Sequence, residues 1–282
     1  MAGFFGLFDY TKEGPGVEKK ERKKKGFFAF FEVYFRNFWN YAKAALLYWG
    51  CSIFLVTNGL AKVGLTHIAR STVREKHSFV ISDFFEAVKN NWKQALGIGA
   101  LNVFATAIIA LDLWFFWNAI GEEFSTINIL GLALAFFLGL CMIFMKYYIW
   151  TLVITFNFSF KQLIKNSYHF VFINLWRNVL IAIVLGAVYF ALYILAVINQ
   201  ACFILAAAIL IFVLPGFKAS LIQANTFPVI KKYIIDPYYA EHKGEDIEKR
   251  LALGLEVAED EMPEKETTEQ LFCDSIPEKS EK

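Results

Sequence analysis

Asp112 is the one acidic residue well inside an apolar run of this chain. A carboxylate is expensive within a membrane, so it stands as a candidate functional group by default. Trp114 and Trp117 follow it closely, which is also the pattern of an aromatic belt at an outer membrane interface. Lys146, with Tyr147, Tyr148 and Trp150 after it, reads as a lysine that snorkels from the cytoplasmic end of a span. Asn102, Asn118 and Asn157 read as helix-to-helix hydrogen-bond donors. His67, His77, His169 and His242 have no carboxylate at useful spacing, and no His lies four residues from another. Cys51, Cys141, Cys202 and Cys273 form no C-x-x-C pair. There is no G-x-S-x-G, Walker loop or dinucleotide fingerprint. No enzyme activity, metal or cofactor is expected from these parts.

The elements that must position these groups follow from composition. The 282 residues are 57% hydrophobic, 18% aromatic and 19% charged, with 31 Phe and a mean hydropathy of +0.45. A soluble domain runs about 45–50% apolar and about 25% charged. The shift points to an all-α polytopic membrane protein, with the lipid bilayer as its first partner. A net charge of +2 gives no case for nucleic acid.

Six apolar runs are expected to cross: 38–57, 59–74, 95–118, 127–150, 179–198 and 201–219. The second is short and its crossing rests on charge. If it crosses, the Lys-rich run 19–25 and the loop with Arg70, Arg74, Lys76, Lys89 and Lys93 share one face. The loop at Gly121 to Thr126 then lies outside with no basic residue. The positive-inside rule selects that arrangement, so both termini are expected in the cytoplasm. The division is a basic cytoplasmic segment 1–36, a transmembrane domain 37–225 and a tail 226–282, disordered after about 244.

Asn90-Asn91-Trp92-Lys93 is echoed 84 residues later by Asn174-Leu175-Trp176-Arg177. The echo suggests a parallel internal repeat. Each copy leads into a span from an amphipathic segment. In the first, Asp83 can cap a helix that puts Phe85, Val88 and Trp92 on one face. In the second, Phe160, Leu163, Ile164, Tyr168 and Val171 oppose Lys161, Lys165 and His169. Both are expected to lie in the cytoplasmic interface, with Trp92, Lys93, Trp176 and Arg177 as candidate interface residues.

Gly6-Leu7-Phe8-Asp9-Tyr10, Val56-Thr57-x-Gly59-x-Ala61 with Gly64-Leu65-Thr66, Ser82-Asp83-Phe84-Phe85, and Phe227-Pro228-Val229-Ile230 resemble the YesL family of bacterial membrane proteins, a Firmicutes-type family of unknown function. The likeness covers about residues 3–240 and singles out Thr57 and Gly59. Phe54 stands where the family usually has Pro, and Lys62 where a small residue is common. The resemblance implies a place beside carbohydrate importers and polysaccharide-degrading enzymes, in the bacterial cytoplasmic membrane. Glu86-Ala87-Val88 is similar to the signature with which importer permeases dock an ATPase, but Trp92 replaces its Gly, so the chain is not itself read as such a permease. The leading expectation is a non-enzymatic accessory subunit of a carbohydrate ABC importer. It would pack on the permease subunits through Gly97, Gly99, Gly131 and Gly139. The alternatives are a stand-alone transporter or channel for a small solute, using Asp112, and a membrane scaffold or assembly factor.

Overall fold

The computed structural model describes residues 27–54, 57–76, 78–122 and 124–241, and among them the chain is all-helical. The basic run 19–25, the acidic stretch beyond 242 and residues His77, His242 and Cys273 lie outside the described residues. The helices are α1 (Phe27–Arg36), α2 (Phe38–Cys51), α3 (Asn58–Val73), α4 (Val80–Glu122), α5 (Thr126–Thr155), α6 (Phe160–Ile173), α7 (Leu175–Ile198), α8 (Gln200–Ala208), α9 (Leu214–Ile230) and α10 (Asp236–Glu241). π turns at Ile209–Val213 and Lys231–Ile235 join α8, α9 and α10 into one column.

Four stretches are long and apolar enough to cross a membrane: Val80–Gly121, Thr126–Thr155, Leu175–Ile198 and Gln200–Tyr238. At about 1.5 Å per residue, α2 reaches only about 21 Å and α3 about 24 Å, less than a ~30 Å hydrocarbon core. α3 is the most enclosed element, with Ala61, Val63, Ile68 and Ala69 fully buried and α2, α4 and α9 packed around it. Gly59 explains the tightest crossing. It lies on Ala95 and Gly99 of α4, and a Cβ there would meet the Ala95 carbonyl oxygen and come within 3.1 Å of Gly99 Cα. Small residues at i and i+4 let two helix backbones approach this closely.

The first amphipathic segment is not a separate interfacial helix. Residues 80–94 are the first turns of the 43-residue α4, continuous with its span. The buried face carries Phe84, Ala87, Ala95 and Ile98, while Phe85 and Trp92 point outward. Phe84 fills the hollow over Gly64, so close packing on α3 selects the face. The second copy does break, at Asn174 between α6 and α7. Leu163, Ser167, Phe170 and Val171 form its inner face; Phe160, Ile164 and Tyr168 are exposed.

The glycines expected at a partner surface are filled from within. Gly97 lies under the Phe160 ring, Gly131 under Phe116, Gly139 beside Ile109, and Gly99 is buried against Gly59. The α7–α8 turn is tight as expected: Asn199 alone is non-helical, and its Oδ1 accepts from Cys202 N–H at 2.8 Å. The result is two apolar arms, α4–α5 and α7–α8, that do not pack substantially on each other beyond their base.

Candidate functional site

A chamber of about 400 Å³ lies where the arms meet. α2 gives Tyr48 and Trp49, α3 Lys62, Leu65 and Thr66, and α5 Lys146, Tyr147 and Trp150. Tyr189 of α7 and Leu214, Pro215, Lys218 and Gln223 of α9 close it. Its charged lining residues are all lysines.

The three ammoniums come from three helices and are close enough for their charges to oppose one another. Lys62 Nζ lies over the Trp150 ring, 5.5 Å from its centroid, a cation–π arrangement. Lys146 Nζ donates to Thr106 Oγ1 at 3.0 Å. The lysine expected to snorkel is thus tied through its ammonium to α4. Lys218 is exposed and lines the chamber. Gln223 is 2% exposed; its Nε2 donates to Thr151 Oγ1 at 2.7 Å, and its Oε1 has no partner.

The chain builds the chamber's wall by breaking a helix. In the π turn the Leu214 N–H reaches back five residues to the Ile209 carbonyl. Pro215 has no N–H for the Ile211 carbonyl one turn earlier. Trp49 Nε1 donates to that oxygen instead, at 3.0 Å. A backbone break at membrane depth persists where a neighbouring side chain satisfies it.

Behind the chamber a buried polar network ties α5, the α6–α7 hinge and α9. Tyr148 Oη donates to Asn178 Oδ1 at 2.8 Å and accepts from Asn174 Nδ2 at 3.0 Å. Asn225 joins Asn174 at 3.3 Å and Asn178 at 3.4 Å. These, rather than Asn102, Asn118 and Asn157, bind helix to helix here. Asn102 takes a bond from Thr106 within α4, Asn118 donates to Trp114 in its own helix, and Asn157 is exposed.

The candidate residues scatter. Asp112 is half-buried on α4 and does not line the chamber. Thr57 Oγ1 donates to the Cys51 and Phe54 carbonyls at 2.6 and 2.8 Å, tying down the break after α2. Gly59 makes the α3–α4 crossing. Asp83 accepts from the Phe79 N–H at 2.9 Å and so caps α4 three residues before the expected start. Trp92 is exposed under Lys93, 5.6 Å from its centroid, and Trp176 and Arg177 are exposed at the start of α7. Among the described residues no three His, Cys, Asp or Glu side chains gather as a metal site.

The sequence pass missed Lys62, Lys218 and Gln223 as a group. The available signal was a single lysine in each of three helices, two of them strongly apolar. An offset of 84 residues, that of the Asn-rich echo, separates Lys62 from Lys146.

Residues 42–113 match the model of a family described as a protein of unknown function, DUF624, the family that includes YesL-type membrane proteins. The match takes in most of α2, all of α3 and α4 to Leu113, and with them one wall of the chamber. No curated protein and no solved structure matches.

Proposed function

We propose that the chain is a non-enzymatic, multi-pass protein of a bacterial cytoplasmic membrane that takes part in uptake of a small solute, which sits in the lysine chamber. The chamber carries this reading: about 400 Å³, walled by five helices, with aromatic and polar side chains and one sign of charge among its described lining residues. Sites of this kind lie between helices of bundles and near the middle of transporters. Both termini are cytoplasmic in this reading. α2 and α3 go in and come back as a pair, so six crossings, or four with a re-entrant pair, give every loop the same side. The shared 84-residue offset supports a parallel repeat behind the two halves.

The splayed arms favour a second reading. Exposed rings such as Phe104, Phe115, Phe137, Phe190 and Tyr193 line them, an apolar surface that helices of another chain can cover. With the YesL-like motifs, this supports an accessory subunit beside the permeases of a carbohydrate ABC importer. Tagging the protein at its native locus and extracting it gently tests both. Stoichiometric permeases in the eluate mark a subunit. Recovery alone, with flux in proteoliposomes of this protein only, marks a stand-alone carrier. Normal growth of a clean deletion on every oligosaccharide, with no flux in liposomes, refutes solute uptake.

A further inference from the structure

We propose that the chamber binds a small oxyanion that carries at least two negative charges and also a hydroxyl, as a phosphorylated polyol does. The inference deepens the reading of the chamber as a solute site and does not depend on transport.

Lys62, Lys146 and Lys218 converge from α3, α5 and α9 on one chamber, and among the described residues none that lines it is a carboxylate. Lys62 and Lys146 are half-buried and Lys218 is exposed, and like charges held this close are ordinarily offset by an opposite one, because each opposes the next. A lysine on a lipid-facing surface escapes by extending toward headgroups. These three instead face one another's charge. Each ammonium has three donors. Lys146 gives one to Thr106, and the Lys62 head lies on Trp150. Enough donors remain to surround a multiply charged oxyanion, and among the described residues none of the three pairs with a carboxylate.

Gln223 supplies the second half of the argument. The Thr151 hydroxyl donates to the Tyr147 carbonyl at 3.5 Å, so toward Gln223 it accepts, and this orients the amide. Oε1 is left as a buried acceptor without a donor, on a side chain that lines the chamber. An oxyanion that carries no proton, such as sulfate, cannot donate to it; a ligand hydroxyl can. Buried acceptors are normally satisfied, and an exception points to a missing group. Trp150, Tyr147 and Tyr189 add flat apolar walls. The volume sits at the small end of the roughly 300–1,000 Å³ of ligand pockets.

The same chemistry has two sources, a soluble hydroxylated phosphate or a lipid headgroup with two phosphates and a free glycerol hydroxyl. Full-length protein in nanodiscs of phosphatidylcholine is titrated calorimetrically with glucose 6-phosphate, sulfate and glucose. Glucose 6-phosphate is expected to bind at least about tenfold tighter than sulfate, and glucose not at all. Lys62→Gln, Lys146→Gln and Lys218→Gln each weaken it at least about tenfold, while Gln223→Leu removes its advantage over sulfate. The lysine variants relieve repulsion, so without ligand they should unfold no earlier than wild type, which separates lost binding from lost fold. If the soluble probes fail but cardiolipin, with two phosphates and a free glycerol hydroxyl, co-purifies with wild type and not with the triple Gln variant, the site holds a lipid headgroup and the oxyanion assignment stands. If neither the probes nor anionic lipid respond to the lysines, the proposal falls. Binding without flux in liposomes overturns the uptake reading alone; flux of a neutral sugar untouched by the lysine variants overturns this one alone.

Discussion

Replacing Gly59 by Ala should separate packing from helix propensity, with Gly186 as its counterpart. Alanine is worth up to about 1 kcal/mol over glycine in a helix interior, and less at Gly59, the second residue of α3. At Gly186 nothing lies within 4 Å of an added Cβ, so Gly186→Ala should be neutral or stabilising by up to about 1 kcal/mol. At Gly59 the methyl meets the Ala95 carbonyl and lies 3.1 Å from Gly99 Cα. Both are main chain of α4, so no rotamer change relieves the clash and the helices must part. Overpacking costs about 1–3 kcal/mol even where side chains can shift, so the net loss should be at least about 1 kcal/mol. Thermal unfolding of both variants in one detergent, with gel filtration to check folded yield, reads the contrast. Equal midpoints for Gly59→Ala and wild type would refute the close α3–α4 crossing.

Tyr148→Phe removes one donated and one accepted bond from a fully buried phenol and should cost about 1–3 kcal/mol, read by the same unfolding assay; no change would mean water already serves Asn174 and Asn178. Trp49→Phe leaves the Ile211 carbonyl unpaired and should cost about 1–3 kcal/mol, but much less in a Pro215→Ala background, where a backbone N–H returns; a double-mutant cycle with no coupling would sink the substitution of one donor by the other. Single cysteines at Lys76 and Ser125 in a cysteine-free chain should label from opposite sides of the membrane, and labelling from one side would overturn the sidedness of the loops.

Long apolar runs were legible because a span writes itself locally: α5, α7 and the α7–α8 turn at Asn199 follow from composition and turn chemistry alone. What stayed hidden depends on neighbours distant in sequence. The buried face of α4 is set by Gly64, which offers Phe84 a hollow, while the periodicity of Phe85, Val88 and Trp92 is equally helical and loses. The run 201–219 was expected to end well before Pro228, yet the helical column continues through Pro215 and Pro228. Trp49, about 160 residues away in sequence, supplies the bond that Pro215 withholds.

The site was hidden for a related reason. Asp112 drew attention because a single intramembrane charge is conspicuous in a linear string, yet its helix carries it away from the chamber. Lys62, Lys146 and Lys218 each have an ordinary excuse when met alone, since a lysine near the end of an apolar run can reach toward headgroups. Only the packing of α3 between α4 and α9, made close by Gly59, brings the first of them over Trp150 and turns three excusable lysines into one uncompensated cluster. The chemistry of this protein therefore sits at a crossing rather than in a motif. On that logic, parting α3 from α4 at Gly59 should weaken anion binding in the chamber along with the fold. Gly186→Ala, out on an open face of α7, should leave both intact.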